Sequence, residues 1–299
     1  MSGTMDDFAG IIDSSMRMIA ELQEMLSSSM GIEEQLINEK YANQNLMALL
    51  ASLAEAGNVQ GIRMLEASVV ADLARFVESD PIRLALKQIH DVLDTIDGAD
   101  EVVLDTNAPD AVRAARLVRL LDNADIRYWM SEAYEGQPPD NKLRGVVAEI
   151  LTAELLEKNA RENSAADGLT RQVLVGLKVS QPDAERLSGW RDLAELDNLV
   201  VVKEDGLYVP ETMAEAKAGK VAKGTLKTQL SKKIKSLERV GTEEIVIRQG
   251  DVDLTPLFAP GAFTSRVQTL GASAHPNADI AINSAEVNSL CEDLRPLFD

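Results

Sequence analysis

Leu169-Thr-Arg-Gln-Val-Leu-Val-Gly-Leu177 runs through Lys178-Val-Ser-Gln-Pro182 into residues 183–198, and Leu199-Val-Val-Val-Lys-Glu-Asp-Gly-Leu-Tyr-Val-Pro210 follows. Leu187, Trp190, Leu193 and Leu196 recur every three residues, a spacing that predicts a helix over the second block. In the third block, apolar runs flank Glu204-Asp205-Gly206, where glycine tolerates the positive φ of a hairpin turn. The predicted order is a short helix, a tight turn, a second helix and a two-stranded hairpin.

This order resembles a winged helix-turn-helix, over one domain at about residues 143–210. The resemblance implies a recognition helix at residues 183–198, with Arg186, Trp190 and Arg191 as docking side chains. That helix also holds Asp183, Glu185, Asp192, Glu195 and Asp197, giving it a net charge of −3, poor for a helix lying among phosphates. Winged helices also serve as protein-docking modules, and that use tolerates acid. A plain helix followed by an ordinary hairpin fits the same residues.

Directly downstream, the spacing predicts a long basic helix over residues 212–239. Lys217, Lys220, Lys223, Lys227, Lys232, Lys233, Lys235 and Arg239 face only Glu238 within residues 217–239, a local charge of about +7. The chain as a whole is at −19, so the remainder carries about −26. The basic stretch suits contact with nucleic acid or with an acidic partner; it suits equally an internal counter-charge against the acidic body. No aromatic residue interleaves with the lysines, which disfavours a base-stacking site.

Upstream, residues 1–98 read as a helical bundle. Apolar stripes run through Phe8–Leu26, Leu36–Leu53, Ile62–Phe76 and Ile82–Ile96, the last opened by Ser79-Asp80-Pro81. Residues 99–140 read as a short α/β segment and linker. Strands at residues 101–105 and 126–129 flank a helix at 111–121, so one βαβ unit is expected. Residues 141–240 hold the winged-helix-like module with its basic helix. Residues 241–299 form a mixed segment, with a strand at Ile245-Val-Ile-Arg248 and a partly helical close. The predicted class is mainly α with a smaller α+β part.

Only 4% of residues are aromatic, so aliphatic side chains must build the core, which favours helix packing. A single cysteine, Cys291, and no apolar leader predict a reducing, cytoplasmic setting, and no apolar run reaches the roughly 20 residues of a membrane span. The stretch Gly219-Lys-Val-Ala-Lys-Gly224-Thr225 lacks the lysine that follows the second glycine of a phosphate loop. Val102-Val-Leu-Asp105 resembles the opening strand of PIN-type nucleases, a resemblance that implies Asp105 as a metal ligand with Asp125, Glu132 or Asp140 beside it. A solvated strand end explains Asp105 as well. His90 and His275 have no cysteine partner for a zinc site.

These features predict a non-enzymatic interaction protein acting in DNA-associated regulation, chromosome handling or assembly, with no cofactor and no metal. Its expected partner is a protein or a second copy of itself, with weak nucleic-acid contact and no membrane. A structural or assembly protein, viral or cellular, and a PIN-like nuclease using Asp105 are the rival readings.

Overall fold

The computed structural model describes residues 31–32, 40–41, 45–76, 79–131, 134, 136–185, 189–237, 245–250, 252–259, 261, 263 and 267–298. The helix expected around Phe8–Leu26 lies outside the described residues. Three helices follow in the N-terminal region: α1 (Asn45–Glu55), α2 (Val59–Arg75) and α3 (Asp80–Leu93). The Asn58 side chain caps α2 by accepting from the Gly61 amide at 2.7 Å. Pro81 starts α3, whose stripe of Ile82, Ala85, Ile89 and Leu93 is buried. Next come α4 (Pro109–Leu121) and the short α5 (Ala124–Trp129).

The longest helix among the described residues, α6 (Asp140–Asp167), has a wide apolar surface in its first half: Val146, Val147, Ala148, Ile150, Leu151 and Ala153 are all buried. An apolar surface that wide needs covering from more than one side. Here α6 lies between the N-terminal helices and a sheet, and Gly168, at φ 77°, ends it in the left-handed conformation.

The sheet has seven strands: β1 (Arg171–Pro182), β2 (Trp190–Glu204), β3 (Leu207–Lys217), β4 (Val246–Gln249), β5 (Val252–Asp253), β6 (Gln268–Ser273) and β7 (Ile280–Ala281). Their spatial order is β5-β4-β1-β2-β3-β6-β7. Strands β1, β2 and β3 form an antiparallel meander, whereas β6 and β7 add in parallel beyond β3. A two-residue turn joins β2 to β3, with Asp205 at φ 51° and Gly206 at φ 86°, as a type I′ hairpin requires. Helices α7 (Lys223–Leu237) and α8 (Ser284–Leu294) complete the fold.

Alternate residues of a strand face opposite sides, and both sides of this sheet are covered. Val200, Ala214, Ala216 and Ala272 join the core made by α1–α6 and α8. Leu199, Val201 and Met213 join a second core with Leu230 and Leu237 of α7, and with Phe258 and Phe263. Helix α7 and the N-terminal helices therefore lie on opposite faces. The protein is a mixed α/β structure, which overturns the expected mainly α class.

Residues 171–182 are strand, not helix, and residues 190–198 are the first part of β2, not a recognition helix. The helix-turn-helix order is therefore absent from the described residues 169–198. Because helices cover both faces, β2 buries every residue from 196 to 202, and such a run carries no period of two. The three-residue spacing of Leu187, Trp190, Leu193 and Leu196 imitated a helical stripe. The basic helix is also shorter than expected, since residues 212–217 complete β3 between β2 and β6. Their alanines read as helix formers; in the sheet, small Ala214 and Ala216 let α6 approach. The βαβ unit is absent as well: residues 102–105 follow a 3₁₀ turn outside the sheet, and residues 126–129 belong to α5.

Arginine clamps tie the helices together. Arg113, Arg116 and Arg119 recur on one face of α4. Arg116 pairs with Glu154 at 2.9 Å and with Glu286, Arg119 pairs with Glu157 at 2.6 Å, and Arg113 pairs with Asp293. Most arginine charge near the bundle is thus spent internally.

Candidate functional site

Helix α7 carries most of the basic stretch, and its two sides differ in kind. Leu226, Leu230 and Leu237 are buried against the sheet, and Lys233 shares their stripe. The outward face presents Lys227, Ser231 and Lys235 at four-residue spacing, flanked by Thr228 and Lys232, all exposed. The Thr228 hydroxyl donates back to the Gly224 carbonyl at 3.0 Å and the Ser231 hydroxyl to the Lys227 carbonyl at 2.9 Å. The lysine ammonium groups are then the outward donors of that face. Among the described residues no ion pair reaches Lys220, Lys227, Lys232 or Lys235. From Lys227 to Lys235 the face extends about 12 Å along the helix.

The other basic residues are used inside. Lys233 reaches Asp197 of β2 at 2.9 Å and also pairs with Glu215 of β3. Lys217 lies 2.7 Å from Glu215 and 3.5 Å from Asp197. This quartet fills the fork where β2 and β3 separate. Strand pairing ends at Asn198–Ala214, and beyond it the Ala216 amide donates to the Asp197 carboxylate at 2.8 Å instead of to a strand. Asp197 and Glu215 are only 3% and 2% exposed, so their charges need these lysines. Burial lowers and the carboxylates raise the Lys233 ammonium pKa, and the carboxylates prevail. Glu149 of α6 approaches the same fork; loss of water, then Asp197 and Glu195, hold its carboxyl well above the ordinary range. Lys223 pairs with Asp279, which also accepts from the Gly271 amide at 3.0 Å.

Of the expected contact residues, then, the structure brings Lys220, Lys227, Lys232 and Lys235 to the surface, turns Lys217 and Lys233 inward, and ties Lys223 to Asp279. Arg239 and Arg186 lie outside the described residues. Trp190 and Arg191 begin β2 rather than sitting on a helix, and the Arg248 guanidinium stacks 5.0 Å from the Trp190 ring centre. The inward lysine was legible: in Leu226, Leu230, Lys233 and Leu237 it occupies a position of the apolar stripe. So was one partner, because Asp197 interrupts a run that is otherwise almost wholly apolar from Leu196 to Val202.

The residues weighed for chemistry are scattered. Asp105 sits in an exposed loop, where its carboxylate accepts from the Asn107 amide at 2.9 Å. Asp125 lies 3.6 Å from Lys178, and Asp140 pairs with Arg295. Glu132 is outside the described residues. Among the described residues, no three His, Cys, Asp or Glu side chains gather as a metal site. Burial pushes the Cys291 thiol up to about 11, away from a nucleophile's range. A groove of about 610 Å³ along the end of α6 is lined by Arg161, Ser164, Thr170 and Gln172, without a histidine or cysteine. No helix among the described residues is long and apolar enough to cross a membrane.

The geometry can therefore offer a preformed row of positive charge on a helix, backed by an internal ionic fork. No family model, no curated protein and no solved structure matches the chain.

Proposed function

We propose that this chain is a non-enzymatic interaction protein, working in assembly, whose docking element is the outward face of α7 and whose partner presents an acidic protein surface. The observation that carries this reading is the segregation of lysines on one helix. Lys233, largely buried, and Lys217, half-buried, pair with Asp197 and Glu215, while Lys227, Lys232 and Lys235 stand outward with no ion pair among the described residues. An anionic surface is the natural complement of such a row, and it gains specificity and association rate from it. An acidic protein surface fits better than duplex DNA. Among the described residues this face presents lysines and no arginine, the side chain that binds phosphate in bidentate fashion.

Fluorescence anisotropy with labelled poly-L-glutamate at low salt tests this. Lys227→Gln, Lys232→Gln and Lys235→Gln together should abolish binding, whereas Lys142→Gln, on α6, should not. Binding to duplex DNA but not to polyglutamate, with a slope of about −0.9 per phosphate against log salt, would assign the face to nucleic acid and overturn the protein reading.

A further inference from the structure

Opposite the lysine row, the described surface carries its charge complement. Residues 91–110 hold Asp91, Asp94, Asp97, Asp100, Glu101, Asp105 and Asp110, all exposed, and no lysine or arginine. Lys87 neutralises Asp91 at 2.5 Å and Arg63 lies 3.7 Å from Asp100. Within this rim Val103 is 84% exposed. The loop holding it is pinned: the Gln60 amide donates to the Val103 carbonyl at 2.9 Å and accepts from the Asp105 amide at 3.0 Å. Arg63 also donates to the Ala99 carbonyl at 3.1 Å. An apolar side chain is thus held out into water by polar contacts made on either side of it, an arrangement suited to an anchor ringed by charge.

The rim belongs to the helical layer on one face of the sheet, and α7 to the other face. Within one molecule the two surfaces cannot meet. We propose that copies of this chain associate head to tail, with the Val103 loop and acidic rim of one copy docked on the lysine row of α7 of the next. This deepens, and rests on, the reading of α7 given above. The lysine stems offer apolar surface to Val103 while their ammonium groups reach the flanking carboxylates. Two different patches meet, so the contact is heterologous and propagates into a ring or an open chain rather than closing as a twofold dimer. Both copies are net negative, but at physiological salt the Debye length is about 8 Å, so close complementary contacts outweigh the distant repulsion.

A charge swap in the full chain tests this by sedimentation velocity over a concentration series. One variant carries Lys227→Glu, Lys232→Glu and Lys235→Glu; the other carries Asp97→Lys, Asp100→Lys and Glu101→Lys. Wild type should sediment above monomer mass. Each variant alone should be monomeric, its self-affinity weakened roughly 100-fold or more by facing like charges. An equal mixture should regain the wild-type species, because each altered patch then meets its complement; that recovery also shows both variants are folded. A monomeric wild type at every concentration, or variants that assemble as wild type does, overturns the proposal. If wild type stays monomeric yet binds polyglutamate through the three lysines, only the head-to-tail partner is lost. If the lysine substitutions also leave polyglutamate binding unchanged, the reading of α7 fails with it.

Discussion

Lys233 of α7 donates to Asp197 of β2 at 2.9 Å, joining a helix to a strand that lies 36 residues away. The contact moves one member of the basic stretch from surface to core, and it fixes which face of α7 is left for a partner. Lys233→Gln should therefore leave Asp197 and Glu215 undercompensated in a buried site, costing about 3–5 kcal/mol. Lys232→Gln, one residue away on the exposed side, should stay within about 0.5 kcal/mol of wild type. Urea denaturation of the two variants separates these outcomes, and equal losses would argue against an internal role for Lys233.

Glu149 should set a pH dependence. Its carboxyl titrates well above the ordinary range in the folded chain, because burial and then the Asp197 and Glu195 carboxylates oppose its charge. The folded pKa is raised, so its contribution to stability is complete below the ordinary carboxylate range and is lost as pH rises through the raised value. Glu149→Gln should therefore raise Tm at pH 7–8, and the gain should shrink toward pH 4. A lower Tm for the variant at pH 8 would mean that Glu149 acts as a needed partner of Lys217.

Gly271 should resist substitution. A Cβ built there would lie 2.7 Å from Leu226 Cδ1 and 2.9 Å from Leu226 Cβ, so α7 packs directly on the bare backbone of β6. Gly271→Ala should cost about 1–3 kcal/mol through overpacking. The same change should cost less in a Leu226→Ala background, since the two sites are coupled. Additive losses in a double-mutant cycle would contradict the contact.

Gln60 should govern the order of the Val103 loop. Gln60→Ala removes both bonds that pin it, so hydrogen exchange of the Asp105 amide should quicken markedly, while amides in the middle of α2 keep their protection. Unchanged exchange at Asp105 would show that the loop is held by other contacts.

By itself the sequence determined the local features whose cause is local. Asp205-Gly206 makes a tight turn because both positions need positive φ. Ser79-Asp80-Pro81 opens a helix because proline fits its first turn, and the four-residue stripe of α3 is read from a face exposed to water on one side. Tertiary structure decided the rest. Once α6 and α7 cover both faces of the sheet, β2 loses the alternation that marks a strand, and a fully buried apolar run is ambiguous between helix and strand. Residues 212–217 have helix-forming alanines, yet pairing with β2 on one side and β6 on the other makes them strand, because ladder bonds and burial on two flanks outweigh a propensity of a few tenths of a kcal/mol per residue. Charge follows the same rule. Composition places about +7 in one segment, but only the packing of α7 against the fork at Asp197 and Glu215 separates the lysines that hold the fold from those that face outward.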